Sequence, residues 1–306
     1  MEPINRILLT GVGSGASNIG RLTAEMLLDA GEQVRVMVHH DDGRADSLRS
    51  RGAEVVAGDL VNPTDVARAI DGTTRVFFNM SVSANYLEAA AVVSSIAAEA
   101  GNMQAFVNLS QMTVSQMTST SSEESAQQRL HWLVERVLAW SPLPVVTLRP
   151  TVFLDNPMFT LLPRQTIAER NVLALPIGSG HTSPIAATDV ARVAATVLQT
   201  PDGHVGKVYE LTGPEVLDSD GLADRFGRAL GRVLVGADVP YDVYARQMSS
   251  IPGLPKHVVQ HVLTVARLHR ADRYNRLTDD VETVTGVPAE TVDHYIKGHL
   301  DLFTTA

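Results

Sequence analysis

The strongest constraint on the fold sits in the first forty residues. There the apolar run "RILLT" leads through "TGVGSGASNIG" into the amphipathic stretch "IGRLTAEMLLDAG". A strand that enters a helix through a glycine-rich turn brings backbone N–H groups close to a pyrophosphate at the positive end of that helix. A glycine-rich turn alone is a weak signal, so its setting decides how it is read. Beyond it, short runs rich in β-branched and apolar residues alternate with helical patterns, which predicts a parallel sheet wrapped by helices.

Strands are expected at Arg6–Thr10, Gln33–Val38, Glu54–Ala57, Arg75–Asn79, Ala105–Leu109, Val145–Leu148 and Val208–Leu211. Helices are expected between them, near Ile19–Ala30, Asp46–Arg51, Pro63–Ile70, Tyr86–Ala100 and Ser125–Trp140. Asn62-Pro63 reads as a helix start, and Gly31, Gly72 and Gly101 stand where helices end in a left-handed residue. After Arg149-Pro150 the rhythm is lost. A helix capped by Thr188 or Asp189 leads to the strand "KVYEL". Beyond Gly213 the chain reads as helical, at Asp218–Leu230, Val243–Ser250, Pro255–Arg270 and Ala289–Phe303. "SQMTSTSSEES" (Ser115–Ser125) reads as a mobile loop.

The expected fold class is therefore α/β, a Rossmann doubly wound parallel sheet with a smaller, mostly helical C-terminal lobe. Residues 1–150, with 186–212 returning to the sheet, would form the dinucleotide-binding domain, and 151–185 with 213–306 the substrate-binding lobe. The 306 residues carry 25 basic and 34 acidic side chains, a net charge of −9, and no basic stripe, which argues against a direct nucleic-acid ligand. The sequence contains no cysteine, which excludes disulfides, thiolate nucleophiles and Cys-ligated metals. The start shows no signal peptide and no apolar run is long enough to span a bilayer, so a cytoplasmic protein without membrane association is expected.

Gly11, Gly13, Ser14, Gly15, Asn18, Ile19 and Gly20 are the expected pyrophosphate cradle, with Gly11, Gly15 and Gly20 at the fingerprint positions. Which dinucleotide is bound depends on the end of the second strand, "VMVHHDDGRAD". An acidic residue there would hold the ribose 2′-OH of NAD, and a basic one the 2′-phosphate of NADP. His39 stands first and Arg44 is near, whereas Asp41 and Asp42 come later, so NADP(H) is favoured over NAD(H); His39 as a plain surface histidine is the competing reading. Asp59 and Leu60 of "GDL" would frame the adenine. Met80 and Ser81, past the fourth strand, and Pro150, just past the sixth, complete the expected cofactor contacts.

"TG…NIG", "AEVVAGDLVNPTDVARAIDG", "VNLSQM", "LRPTVFLDN", "SPIAATDVA" and "KVYELTGPE", in this order, resemble the NmrA-like atypical short-chain dehydrogenases/reductases over nearly the whole chain. The resemblance implies a Rossmann fold that binds NADP(H). It leaves function open, because the family holds quinone, azo-dye and triphenylmethane reductases as well as non-enzymatic redox sensors. Two departures stand out. The loop is three residues longer than the family's usual TGATGxxG. The Tyr-x-x-x-Lys pair of typical short-chain dehydrogenases is missing from "SAQQRLHWLVERVL", where Gln127 and His131 take those places, and no tyrosine lies between Tyr86 and Tyr209. The H-x-x-x-E arrangement of His131 and Glu135 resembles NmrA-like quinone reductases, which also lack the pair.

The expected activity is hydride transfer from NADP(H) to a small electrophilic acceptor, a quinone or another conjugated carbonyl. The alternative is a non-enzymatic NADP(H) sensor acting through a protein partner, and a homodimer is a further expectation. His131 is a candidate catalytic residue, or else a ribose contact or packed histidine. Ser110 is a nicotinamide-proximal hydroxyl or a strand cap. Met112, Phe153, Asn156 and Phe159 are expected at the substrate pocket, with Phe153 equally readable as core. His257, His261 and His269 have metal-ligand spacing but lack an accompanying glutamate, and no metal is expected.

Overall fold

The computed structural model describes residues 5–13, 18–81 and 83–303, with every side chain among them except that of Arg44. In chain order the elements begin β1 (Arg6–Leu9), α1 (Ile19–Asp29), β2 (Gln33–Val38), α2 (Gly43–Ser50), β3 (Glu54–Ala57) and α3 (Pro63–Ile70). They continue β4 (Thr73–Phe78), α4 (Tyr86–Ala100), β5 (Ala105–Leu109), a 3₁₀ turn (Met112–Gln116), α5 (Ala126–Trp140) and β6 (Val145–Pro150). Next come α6 (Pro157–Thr160), α7 (Arg164–Arg170), β7 (Val172–Leu175), α8 (Ala187–Gln199), β8 (Val208–Leu211), α9 (Ser219–Leu230) and β9 (Val235–Asp238). The chain closes with α10 (Tyr241–Ser249), α11 (Lys256–Arg270), α12 (Asp280–Thr285), α13 (Val292–Gly298) and α14 (Leu300–Phe303).

Seven strands form one sheet in the order β3-β2-β1-β4-β5-β6-β8. The ladders from β3 through β6 are parallel, as the alternation of strands and helices requires. β4 and β5 are buried along their whole length, the signature of central strands covered on both faces. The chain divides into two compact units. The first comprises Met1–Gln111, Leu130–Arg149 and Val190–Tyr209, and the second Met112–Arg129, Pro150–Asp189 and Glu210–Ala306. Residues 112–129, assigned from sequence to the dinucleotide-binding domain, therefore group with the second unit.

Local chemistry explains several boundaries. The Asn62 side chain accepts from Thr64 N at 3.0 Å and Pro63 opens α3, while Gly31, Gly72 and Gly101 all have positive φ. In the first unit, Phe78, Tyr86, Phe106, Val134 and Leu138 belong to one apolar cluster. Arg75, buried within β4, donates to the Leu198 carbonyl at the end of α8 and pairs with Glu32 at 3.1 Å, so its charge is matched.

The second unit departs from the sequence reading in five places. The strands β7 and β9, too short to stand out by periodicity, pair in parallel from Val172↔Val235 to Leu175↔Asp238. The helix expected over Ala289–Phe303 is two: Thr291 caps α13 by accepting from His294 N, and the chain breaks at His299. The short helix α12, closed by Gly286 at φ 70°, was not anticipated. α8 starts at Ala187, before the expected caps, and the Asp189 carboxylate instead accepts from Glu290 N. The stretch read as a mobile loop is pinned at both ends. Gln116 donates to the Arg273 carbonyl at 2.8 Å, and Ser125 hydrogen-bonds His261 Nδ1 at 2.9 Å.

Candidate nucleotide cleft and adjoining polar corner

A cleft of about 480 Å³ opens in the first unit at the carboxyl ends of β1, β2, β3 and β4. Gly11 and Gly13 border it from β1, His39, His40 and Asp42 from β2, Asp59 and Leu60 from β3, and Met80 and Ser81 from β4. This is where ligands bind in open α/β sheets, because the helices lead away and leave the strand ends uncovered.

Close packing makes two of the glycines necessary. Gly11 has φ 67°, and a Cβ there would collide with the Asn79 carbonyl. A Cβ on Gly20 would lie 2.6 Å from the Gly11 carbonyl oxygen. The Thr10 hydroxyl locks this contact by donating to the Asn79 carbonyl at 2.8 Å while accepting from Asn79 N at 3.0 Å. Among the described residues Gly13 has no neighbour within 4 Å of its Cβ position. Ser14 and Gly15 lie outside the described residues.

Asn18 enters α1 in the left-handed region, at φ 46°, and its side chain makes no cap hydrogen bond; no acidic residue occupies the first turn. Ile19, the first helical residue, is buried and anchors the turn to the core. Among the described residues the positive end of α1 has no anionic or side-chain cap, which suits a bound phosphate. The absent Cβ atoms and the uncapped helix together fit a dinucleotide.

At the rim, the His39 and His40 rings stack with centroids 4.2 Å apart. Asp41, which could compete for a ribose hydroxyl, is held by both carboxylate oxygens at 2.8 Å from Arg49 Nη2. Arg49 also binds Asp46 at 2.6 Å. Arg44 lies in the first turn of α2, and its side chain is outside the described set.

Where β5 ends, a second set of polar groups is buried. The Ser110 hydroxyl donates to Glu135 Oε1 at 2.6 Å, and Arg149 holds the same carboxylate with Nε at 3.0 Å and Nη2 at 2.5 Å. This bidentate pairing is what permits a charged carboxylate in the interior. His131, one helical turn before Glu135 on α5, lies with Nδ1 3.0 Å from the Tyr86 hydroxyl. Burial, with the Glu135 charge adding to it, pushes the Tyr86 phenol far above its ordinary value.

Sequence comparison fits this geometry: the NAD(P)H-binding family matches residues 15–201. The chain belongs to the NAD(P)H-binding family. NAD(P)H azoreductase of Xenophilus azovorans is 27% identical over 300 residues, spanning 98% of this chain and 99% of the relative. The NADPH-dependent quinone oxidoreductase QOR2 of Escherichia coli, solved with NADPH, superposes with a TM-score of 0.82 at 21% identity, over 96% of this chain and 99% of that one. NmrA, a negative transcriptional regulator solved with NADP, superposes with a TM-score of 0.78 at 16% identity, over 97% and 95% of the two chains. The two solved structures share this NAD(P)H-binding protein's fold, and the NmrA-like resemblance of the sequence has its counterpart in them.

The remaining expected site residues lie in the second unit. Pro150 is buried at the end of β6 and does not line the cleft. Phe159 is fully buried in that unit's core with Leu173 and Phe226, and Met112 is fully buried in the 3₁₀ turn, so neither offers surface to a ligand in this structure. Phe153 is half-buried and bridges Ile185, and the Asn156 side chain caps α6 by accepting from Met158 N at 2.9 Å. His261 and His269 are engaged in hydrogen bonds of their own, to Ser125 and to the Val265 carbonyl.

Several residues escaped the sequence reading. Asn79 forms the floor under Gly11, and His40 joins His39 at the rim. Asn108, two residues before Ser110 and so on the same face of β5, is buried with neither amide atom partnered among the described residues. Tyr86 reaches His131 from α4. A tyrosine at the start of a helix carries no sequence mark that it will face a histidine 45 residues later.

Proposed function

We propose that this protein is an NADP(H)-dependent reductase that passes hydride to a small electrophilic acceptor, a quinone or another conjugated carbonyl, without a Tyr/Lys pair. The observation that carries this reading is the polar corner at the end of β5. The Ser110 proton is committed to Glu135, and Glu135 is neutralised by Arg149, so neither is placed to protonate a product. A conjugated acceptor suits such a corner, because it spreads the electron pair it receives and takes its proton from solvent. The similarity to an NAD(P)H azoreductase supports a reductase reading.

Bound NAD(P)H supplies the hydride. The chain supplies the rest. Gly11, Gly13 and Gly20, together with the Ser14–Gly15 segment, admit the pyrophosphate beside the uncapped end of α1, and Asn18 and Ile19 set that helix's start. Asp59 and Leu60 frame the adenine, while Met80 and Ser81 line the way to the nicotinamide. His39 and Arg44 accommodate the 2′-phosphate, since Asp41 is occupied by Arg49 and does not reach for a ribose hydroxyl. Ser110, with its proton given to Glu135, keeps lone pairs free to accept, and His131 is the candidate to contact substrate or ribose.

Titration with NADPH and NADH, followed by a NADPH-oxidation screen over quinones, azo dyes and enones, tests the reading. Turnover with tighter NADPH binding is expected. Tight NADPH binding without turnover on any acceptor would instead favour the alternative, a non-enzymatic sensor acting through a protein partner. Tighter NADH binding would overturn the roles given to His39 and Arg44.

A further inference from the structure

We propose that the row of charges along α9, with the groove beside it, is a docking surface for a second copy of this chain, held by a two-fold axis that sets the two helices antiparallel. Asp220, Asp224 and Arg228 follow one another at helical spacing and share one face of α9. Arg232 continues the row just past Gly231, where the helix ends. The row is acidic toward the start of the helix and basic toward its end. A two-fold axis brings residue i of one copy against residue j of the other, and j against i. Centred between Asp224 and Arg228, it sets Asp220 against the partner's Arg232 and Asp224 against the partner's Arg228, each pair made twice. A parallel arrangement sets like charge against like.

A single chain leaves this row unfinished. Arg228 pairs with Asp224 at 2.9 Å. Among the described residues neither Asp220 nor Arg232 pairs with an opposite charge, and Arg232 reaches only the Asn171 side chain, at 3.5 Å. Beside the row runs a groove of about 560 Å³, lined by α9 and the turn that leads into β9. Ala223 and Gly227 line it as small, buried residues, and a Cβ on Gly227 would lie 2.6 Å from the Arg232 carbonyl oxygen, so the turn packs directly on the helix. Val233 and Val235 border the groove at 85% and 61% exposure, while Leu234 between them is buried in the unit's core.

The helix dipole accounts for acids at one end of α9 and bases at the other, but not for two valines held in water beside the same groove. Because the valines and the charges border one groove, a single contact covers the first and completes the second. The contact is small beside the roughly 1,600 Å² of a standard interface, and exposed ion pairs are individually weak, so the dimer is a reversible one that dissociates on dilution. It lies wholly within the second unit and rests neither on the reductase reading nor on a bound cofactor.

The test is sedimentation of the full chain from about 1 to about 500 µM. A monomer–dimer equilibrium with Kd on the order of 10–100 µM is expected, weakening at least about fivefold between about 0.05 and about 0.5 M NaCl. A wild-type chain that stays monomeric throughout would overturn the proposal. Arg228→Glu with Arg232→Glu makes the row wholly acidic, and Asp220→Lys with Asp224→Lys makes it wholly basic. Each double variant, checked for folding by its melting transition, should be monomeric alone, and an equimolar mixture of the two should sediment as a dimer. Either variant dimerising alone as the wild type does would place the contact on another face, and a mixture that stays monomeric would sink the antiparallel pairing. Val233→Lys, which leaves the row intact, should weaken association at least about tenfold; undiminished association in the folded variant would remove the groove from the contact and overturn the proposal as stated.

Discussion

Each unit presses a glycine onto a backbone carbonyl: Gly11 on Asn79 in the first, Gly180 on His269 in the second. Only the first contact borders a cleft. Around Gly11 the neighbours are strand ends, an uncapped helix and paired charges. Around Gly180 they are α11 and the chain after it, where His269 is fully buried and stacks on Tyr274 at 3.9 Å, Arg270 pairs with Asp238 and Asp272 pairs with His181. The same steric demand stands beside a cleft in one place and within packed structure in the other. A glycine that cannot be replaced is therefore a statement about space, and its surroundings decide what the space is for.

The comparison is most sharply tested at the two glycines. Gly11→Ala and Gly180→Ala should each cost about 3 kcal/mol in urea unfolding, because a Cβ meets backbone that cannot rotate away, and at Gly11 positive φ adds strain. Their effects on NADPH should diverge. Gly11→Ala should lose binding at least about tenfold per folded molecule, and Gly180→Ala should keep it within about twofold; equal losses would erase the distinction between the units.

Glu135→Gln comes next, with a stability loss of about 3 kcal/mol, because it leaves the Arg149 guanidinium beside an uncharged partner. A loss under about 1 kcal/mol would show that water reaches Arg149.

The second unit should instead be the acid-sensitive one. Burial pushes His269 down to about 4, so folded protein holds it neutral while the unfolded chain takes a proton below about 6.5. Stability is fully present above about pH 6.5 and falls by up to about 3 kcal/mol as pH drops toward 4. Urea midpoints across that range check it, and His269→Phe should flatten the slope. The smallest effect is expected at Gly13→Ala, under about 0.5 kcal/mol, because nothing stands near its Cβ position. A large loss there would mean that the loop is packed after all.

Much of the first unit was legible in the sequence because its signals are local. A strand, a glycine turn and an amphipathic helix announce themselves within a dozen residues, and the cap at Asn62-Pro63 and the glycine stops follow from backbone chemistry. The cleft residues Gly11, Gly13, His39, Asp59 and Leu60 could be named because a parallel sheet puts its binding edge at strand ends. The second unit was less legible. Four-residue strands such as β7 and β9 are too short for periodicity, and Phe159 looks the same in a sequence whether it faces a pocket or a core.

The sequence by itself determined that this chain alternates strand and helix, that its first turn admits a pyrophosphate, and that the usual tyrosine and lysine are absent from α5. Those are matters of residue type and spacing within one or two elements. Only the tertiary structure decided that Tyr86 stands behind His131, that Ser110 gives its proton to Glu135, and that Asp41 is claimed by Arg49. Hydrogen bonds between elements depend on distances of a few tenths of an ångström, set by how helices pack on a sheet, and no local pattern of residues encodes them.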